Sequence, residues 1–275
     1  MLVDYYRRQY VRRAILDFVH AGSSLPIREC AFYNRRVKGL QRYMTSPSSH
    51  RKHPMVFDSD ASFETALRSG ATAFYCSYWR YTQPGELAGP IGRDLVWTVR
   101  AKSGGLQFAK QVTISSLHVL EDEGFYHPWV KYSGTLGFDI IVPFENLSDG
   151  VPTDPSSLDE AQKMLTRGMA DYLARGGHGV NLDGSKVTIK SGLDTCLLSE
   201  LWWSRGLLLA PMSLHPNSGL VSVPLEPENI RDFSVLEASP ENVPTYRWNF
   251  TRKAREGLTP AVEWQSTAYS SPALV

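Results

Sequence analysis

Trp129-Val130-Lys131-Tyr132-Ser133 and Gly137-Phe138-Asp139-Ile140-Ile141-Val142-Pro143 are the stretch on which the reading of this chain turns. Both segments are short, apolar and rich in β-branched and aromatic residues, which predicts two strands, 129–133 and 137–143. Side chains alternate along a strand, so Phe138, Ile140 and Val142 share one face and Asp139 stands on the other. Upstream, Asp94-Leu95-Val96-Trp97-Thr98-Val99-Arg100-Ala101 reads as a third strand, with Thr98 and Arg100 two residues apart and therefore on one face. The three are expected side by side in one mixed sheet, flanked by helices over 107–122 and 158–175. On that arrangement Thr98 and Asp139 lie within about 15 Å of each other, four or five strand residues.

Working outward, Val3, Tyr6, Tyr10, Ala14 and Phe18 recur at helical spacing and predict one amphipathic helix over 3–20. Residues 27–33 and 71–81 read as strands, and 46–54 as a polar, proline-flanked loop. Asp60 or Ser62 could cap a short helix over 63–68. The helix over 158–175 carries Leu158, Ala161, Leu165 and Tyr172 on one face and stops at Gly176, Gly177 and Gly179. Residues 193–203 read as helical, and 206–210 and 220–223 as strand-like. Strands and helices without strict alternation give an α+β (mixed α/β) class. One domain over 1–243 is expected, followed by a tail, 244–275, without clear periodicity.

Composition narrows the function classes. The 275 residues hold 29 Lys+Arg against 28 Asp+Glu, a net charge of +1, so any basic footprint is local rather than global. Arg7, Arg8, Arg12 and Arg13 form one cluster, Arg35, Arg36 and Lys38 a second, His50, Arg51 and Lys52 a third; solvated helix faces and loop ends account for such clusters better than a binding footprint does. Cys30, Cys76 and Cys196 are odd in number and far apart, which fits a reducing, cytoplasmic setting and excludes a cysteine-rich zinc knuckle. No run of eighteen apolar residues is present, and arginines interrupt the first twenty residues where a signal peptide needs an apolar stretch. Asp58-Ser59-Asp60 is the best metal motif, since two aspartates two apart on a strand face the same way and can share a divalent cation. The same residues are good helix caps, and the short helix that follows favours that reading.

Several segments in series resemble the small, catalytic subunit of archaeo-eukaryotic DNA primases. They are Arg28-Glu29-Cys30-Ala31-Phe32; Tyr75-Cys76-Ser77 with Tyr81 and Pro84; Gly92-Arg93-Asp94-Leu95-Val96; Leu120-Glu121-Asp122-Glu123-Gly124-Phe125 followed by Lys131-Tyr132-Ser133-Gly134-Thr135-Leu136-Gly137-Phe138; and Val187-Thr188 followed by Pro211-Met212-Ser213-Leu214-His215 with Gly219-Leu220. The resemblance runs from about residue 5 to 243 and implies that family's catalytic-core fold.

The departures decide the expected function. The family's first motif is an Asp-x-Asp pair holding two metal ions; here Thr98 and Arg100 stand at those positions. A guanidinium has no lone pair to offer a cation, and its charge repels a divalent ion by several kcal/mol at about 4 Å and a dielectric near 20. In the second motif the family's Arg and His, which the resemblance assigns to triphosphate contacts, are Leu136 and Asp139, and a later lysine is Asn217. Arg100 and Asp139 could instead pair with each other. The resemblance therefore implies a primase relative without its catalytic residues and without a metal cofactor. Such a protein would act in replication or repair as a scaffold or regulatory subunit, binding single-stranded nucleic acid through Arg100, Lys102, Ser133, Ser213 and His215. Trp79, Tyr81 and Trp129 could stack bases, although core packing accounts for them better. Two alternatives stand beside this reading. One is an active nucleotidyltransferase with Mg²⁺ or Mn²⁺ on Asp58, Asp60 and Asp183. The other is a module that binds only protein, such as a primase large subunit or another replication protein.

Overall fold

Apolar residues at every second position of Leu95–Ala101 make it the centre of a seven-stranded sheet. The computed structural model describes residues 2–45, 50–86, 89–147, 154–201, 206–245 and 248. Across that sheet the order is Gly179–Asp183, Lys186–Ser191, Asp194–Leu201, Leu95–Ala101, Gly137–Val142, Trp129–Tyr132 and Pro224–Leu225. The three strands expected to be neighbours are neighbours. Every pairing is antiparallel, so the sheet is not mixed in direction. The helices Gly105–Asp122 and Pro155–Arg175 cover one face, as expected. Trp97 is fully buried there, and its indole N–H donates to the Thr166 hydroxyl at 2.8 Å. Pro155–Arg175 starts three residues before the expected position because the Asp154 carboxylate accepts from Ser157 N at 3.1 Å and Pro155 occupies the first turn.

The second sheet has four antiparallel strands, Leu207–Leu209, Ala71–Ser77, Cys30–Asn34 and Gly39–Gln41. The helices Gln9–His20 and Asp60–Arg68 pack against Ala71–Ser77. Gln9–His20 buries Val11, Ala14, Ile15, Phe18 and Val19, one continuous stripe. The single helix expected over 3–20 is two, Leu2–Arg7 and Gln9–His20, separated by Arg8 in an extended conformation. Asp60–Arg68 is capped by Ser59, whose hydroxyl accepts from Ser62 N at 3.3 Å while the Ser62 hydroxyl accepts from Ser59 N at 3.2 Å.

Two expectations are corrected. Residues 194–201 form the strand Asp194–Leu201 rather than a helix; Cys196, Leu198 and Glu200 point inward in strand alternation, and 202–203 lie outside the described residues. Residues 220–223 form no strand: Val221 makes a single bridge to Leu214, and pairing to the sheet edge begins at Pro224. Beyond residue 243, Trp248 stacks on Trp129 with ring centroids 5.4 Å apart and donates to Val130 O at 3.2 Å. Of the expected tail, 246–247 and 249–275 lie outside the described residues.

A buried charge network fastens the two sheets together. Arg28, just ahead of Cys30–Asn34, donates to Asp94 at 2.8 Å and to the carbonyls of Phe18 and Ser77. Arg80 reaches the other oxygen of Asp94 at 2.6 Å and also Glu145 at 2.8 Å. Asp94 leads directly into the central strand of the larger sheet and accepts from Phe144 N as well. Arg28, Arg80 and Asp94 have essentially no exposed surface.

Candidate functional site

The face of the seven-stranded sheet turned away from the helices Gly105–Asp122 and Pro155–Arg175 carries the site; it is buried at Lys131 and Asp139 and opens to solvent at Arg100. Registers place Asp139 opposite both Thr98 and Lys131, and Thr98 opposite Ser199. Residues directly opposite in antiparallel strands share a face and sit about 5 Å apart, so Lys131, Asp139, Thr98 and Ser199 form one row. Arg100 lies in the next row, between Gly137 and Leu197. A side chain at Gly137 would meet the Val99 carbonyl oxygen, so this strand position has to stay bare. The Arg100 guanidinium folds back over the backbone there, donating to Val99 O at 3.0 Å, to Phe138 O at 2.9 Å and to the Asp139 carboxylate at 2.6 Å.

The second oxygen of Asp139 accepts from the Lys131 ammonium at 2.5 Å, and Lys131 also donates to the Ser222 hydroxyl at 3.0 Å. Two cations thus share one carboxylate and leave the unit with a net positive charge. Burial alone would raise the Asp139 carboxyl, but Arg100 and Lys131 outweigh it and hold it at about 2. Burial pulls the Lys131 ammonium below its ordinary value, with Asp139 opposing. Arg100 keeps 30 % of its side chain exposed while Lys131 keeps none, so Arg100 is the cation a ligand can reach. The expected pairing of Arg100 with Asp139 is present. Lys131 is the partner that sequence reasoning missed, because a lysine in an apolar strand shows its role only once the register is known.

The other expected residues fall around this centre or away from it. His215 is half-buried, and its Nδ1 accepts from Asn217 N and Ser218 N at 3.4 Å each. Burial lowers the imidazole, helped by Arg100 and Lys131, so it is neutral near pH 7. Gly134 packs so closely on His215 that a Cβ there would lie 2.6 Å from the histidine Cβ. Ser133 is buried and its hydroxyl pairs with Thr135 at 3.0 Å. Ser213 is fully buried; its hydroxyl accepts from Phe74 N at 2.7 Å and meets Tyr6 Oη at 3.3 Å, which makes it a core link. Lys102, Leu136 and Asn217 are exposed at the rim. Trp79, Tyr81 and Trp129 are buried and offer no open stacking platform.

A divalent-metal site does not fit these residues. Thr98, Arg100 and Lys131 place cations and a hydroxyl where ligands would have to be, and the Asp139 carboxylate is already taken by two positive groups. Asp58 and Asp60 flank the Ser59 cap, whereas Asp183 belongs to a hairpin at the far edge of the larger sheet. Among the described residues no group of three His, Cys, Asp or Glu is placed to hold a metal ion. Among those residues, too, no helix is long and apolar enough to cross a membrane.

No protein-family model matches the chain, and no curated protein matches it by sequence. Among solved structures it is similar to the polymerase domain of ligase D from Mycobacterium tuberculosis, determined in complex with DNA. The TM-score is 0.56 at 17 % identity, over 86 % of this chain and 85 % of that one. The fold is primase–polymerase-like. At this identity the likeness extends to architecture, and the residues of this chain must carry the rest.

Proposed function

We propose that this protein is a degenerate relative of the primase small subunit that binds single-stranded nucleic acid at the former catalytic face and transfers no nucleotides. The observation that carries this reading is the Arg100–Asp139–Lys131 unit, cationic where two-metal phosphoryl transfer needs carboxylates. Arg100 and the rim residue Lys102 are the phosphate contacts, with neutral His215 beside them as a hydrogen-bonding group. Ser133 and Ser213 stay structural in this proposal, because their hydroxyls are already engaged. The similarity to a polymerase domain solved on DNA supports a nucleic-acid ligand. A scaffold or regulatory role in replication or repair, beside a primase large subunit or another replication protein, is the setting such a chain would suit.

Primer extension and primer synthesis are expected to be absent with either Mg²⁺ or Mn²⁺. Template-dependent incorporation that Asp58→Ala or Asp60→Ala abolishes would instead establish relocated metal ligands. The double replacement Thr98→Asp with Arg100→Asp is expected to introduce Mn²⁺ binding, read by calorimetry, before any incorporation, because Leu136 and Asp139 still supply no triphosphate contact.

Fluorescence anisotropy with a labelled oligonucleotide tests the binding itself. Affinity is expected to fall with salt, and Arg100→Ala or Lys102→Ala should lower the log–log salt slope by about 0.7 for each phosphate no longer neutralised. The weakening should be similar for every sequence, since phosphate contacts position a strand without reading it. Affinity indifferent to both salt and Arg100 would transfer the function to a protein-binding surface.

A further inference from the structure

On the helix side of the larger sheet, a cleft of about 710 Å³ opens between Pro155–Arg175 and the hairpin of Gly179–Asp183 and Lys186–Ser191. Glu200 lines it. Its strand position is opposite Trp97, so it faces away from Arg100 and Asp139. Only 6 % of Glu200 is exposed, and among the described residues its enclosed Oε1 finds no hydrogen-bond partner. An enclosed acceptor lacking a donor is destabilising. Burial raises this carboxyl above its ordinary value, and the one proton of the neighbouring Thr166 hydroxyl is given to Gln162 O at 2.7 Å rather than to Glu200.

The walls supply the opposite charge. Lys163 and Arg167 stand one helical turn apart, and Lys186 comes from the hairpin. Of the other carboxylates at the cleft, Asp159 is neutralised by buried Arg93 at 2.5 Å, and Asp183 remains at the hairpin turn. Glu160, outside the lining, holds Lys163 at 2.8 Å in an exposed pair worth little. Half-exposed Leu182 adds an apolar surface. The volume falls within the roughly 300–1,000 Å³ typical of small-molecule sites.

We propose that this cleft binds a phosphorylated small molecule of nucleotide size that carries an amino or amide donor. The donor is received by Glu200 and the phosphates by Lys163, Arg167 and Lys186. The cleft lies on the other side of the sheet from Arg100, and this inference stands or falls independently of nucleic-acid binding there.

Calorimetry on the full chain tests it, with ATP as the probe and tripolyphosphate and adenosine as its two halves. An Arg100→Ala background removes binding at the other face. ATP is expected to bind more tightly than either half. Arg167→Ala should weaken ATP and tripolyphosphate alike. Glu200→Leu should weaken ATP about tenfold and leave tripolyphosphate unchanged. In the absence of ligand, Glu200→Leu should also raise the melting temperature, because it removes an unpartnered acceptor; a purely structural glutamate would do the reverse. No ATP binding, or an ATP affinity indifferent to Glu200→Leu, overturns the proposal.

Discussion

Asp94→Asn is expected to remove about 3–5 kcal/mol of folding stability, because it leaves the buried Arg28 guanidinium without a counter-charge and Arg80 with only the part-exposed Glu145. Arg28 and Arg80 converge on the two oxygens of Asp94 at 2.8 and 2.6 Å, and all three side chains are closed off from solvent. A domain's whole stability is about 5–15 kcal/mol, so this one atom change would bring the protein close to unfolding at ordinary temperature. Urea titration reads it as a lower midpoint with an unchanged slope. Arg28→Met should cost less, since Asp94 then keeps Arg80, and Arg80 keeps Glu145. A loss below about 1 kcal/mol for Asp94→Asn would mean that the network is no more than a surface-like pairing.

Asp139→Asn is the second large effect, again about 3–5 kcal/mol, because Lys131 pairs with no other carboxylate among the described residues and has no exposure to water. The wild-type protein should show the linked pH dependence. The Asp139 carboxyl lies at about 2 against an ordinary 3.8. Its contribution, roughly 2 kcal/mol, is therefore complete above about pH 4 and lost as pH falls toward 2. The variant should lack that acid limb. It should also recover stability as pH rises into the alkaline range, since an unpaired buried lysine binds its proton less tightly folded than unfolded. Melting curves of both proteins across pH separate this behaviour from a simple packing defect.

Much of this site was legible before any coordinates. Strand alternation put Thr98 and Arg100 on one face, the resemblance to the primase motifs aimed Asp139 at the same site, and charge complementarity joined two of them. The capping role of Asp58-Ser59-Asp60 was legible as well, although the cap is the serine between the aspartates. What stayed hidden depended on register or on function overriding pattern. Lys131 looked like an ordinary strand lysine until its position opposite Asp139 was fixed. Residues 193–203 looked helical because Leu193, Leu197 and Leu201 repeat every four positions. The strand's own alternation was broken by an acidic residue, Glu200, on its core side. Local pattern thus failed at the position where a buried carboxylate lacks a partner, and such conflicts between local and global preference concentrate at working sites.

The Arg28–Asp94–Arg80 junction also bears on how any partner is received. Spreading the two sheets apart would mean separating desolvated ions, so a jaw-like opening of the molecule is disfavoured. A strand or protein settling on the Arg100 face meets a surface already in its final shape. Little conformational entropy is then surrendered on association, and rigid-body docking against this backbone is a sound starting point.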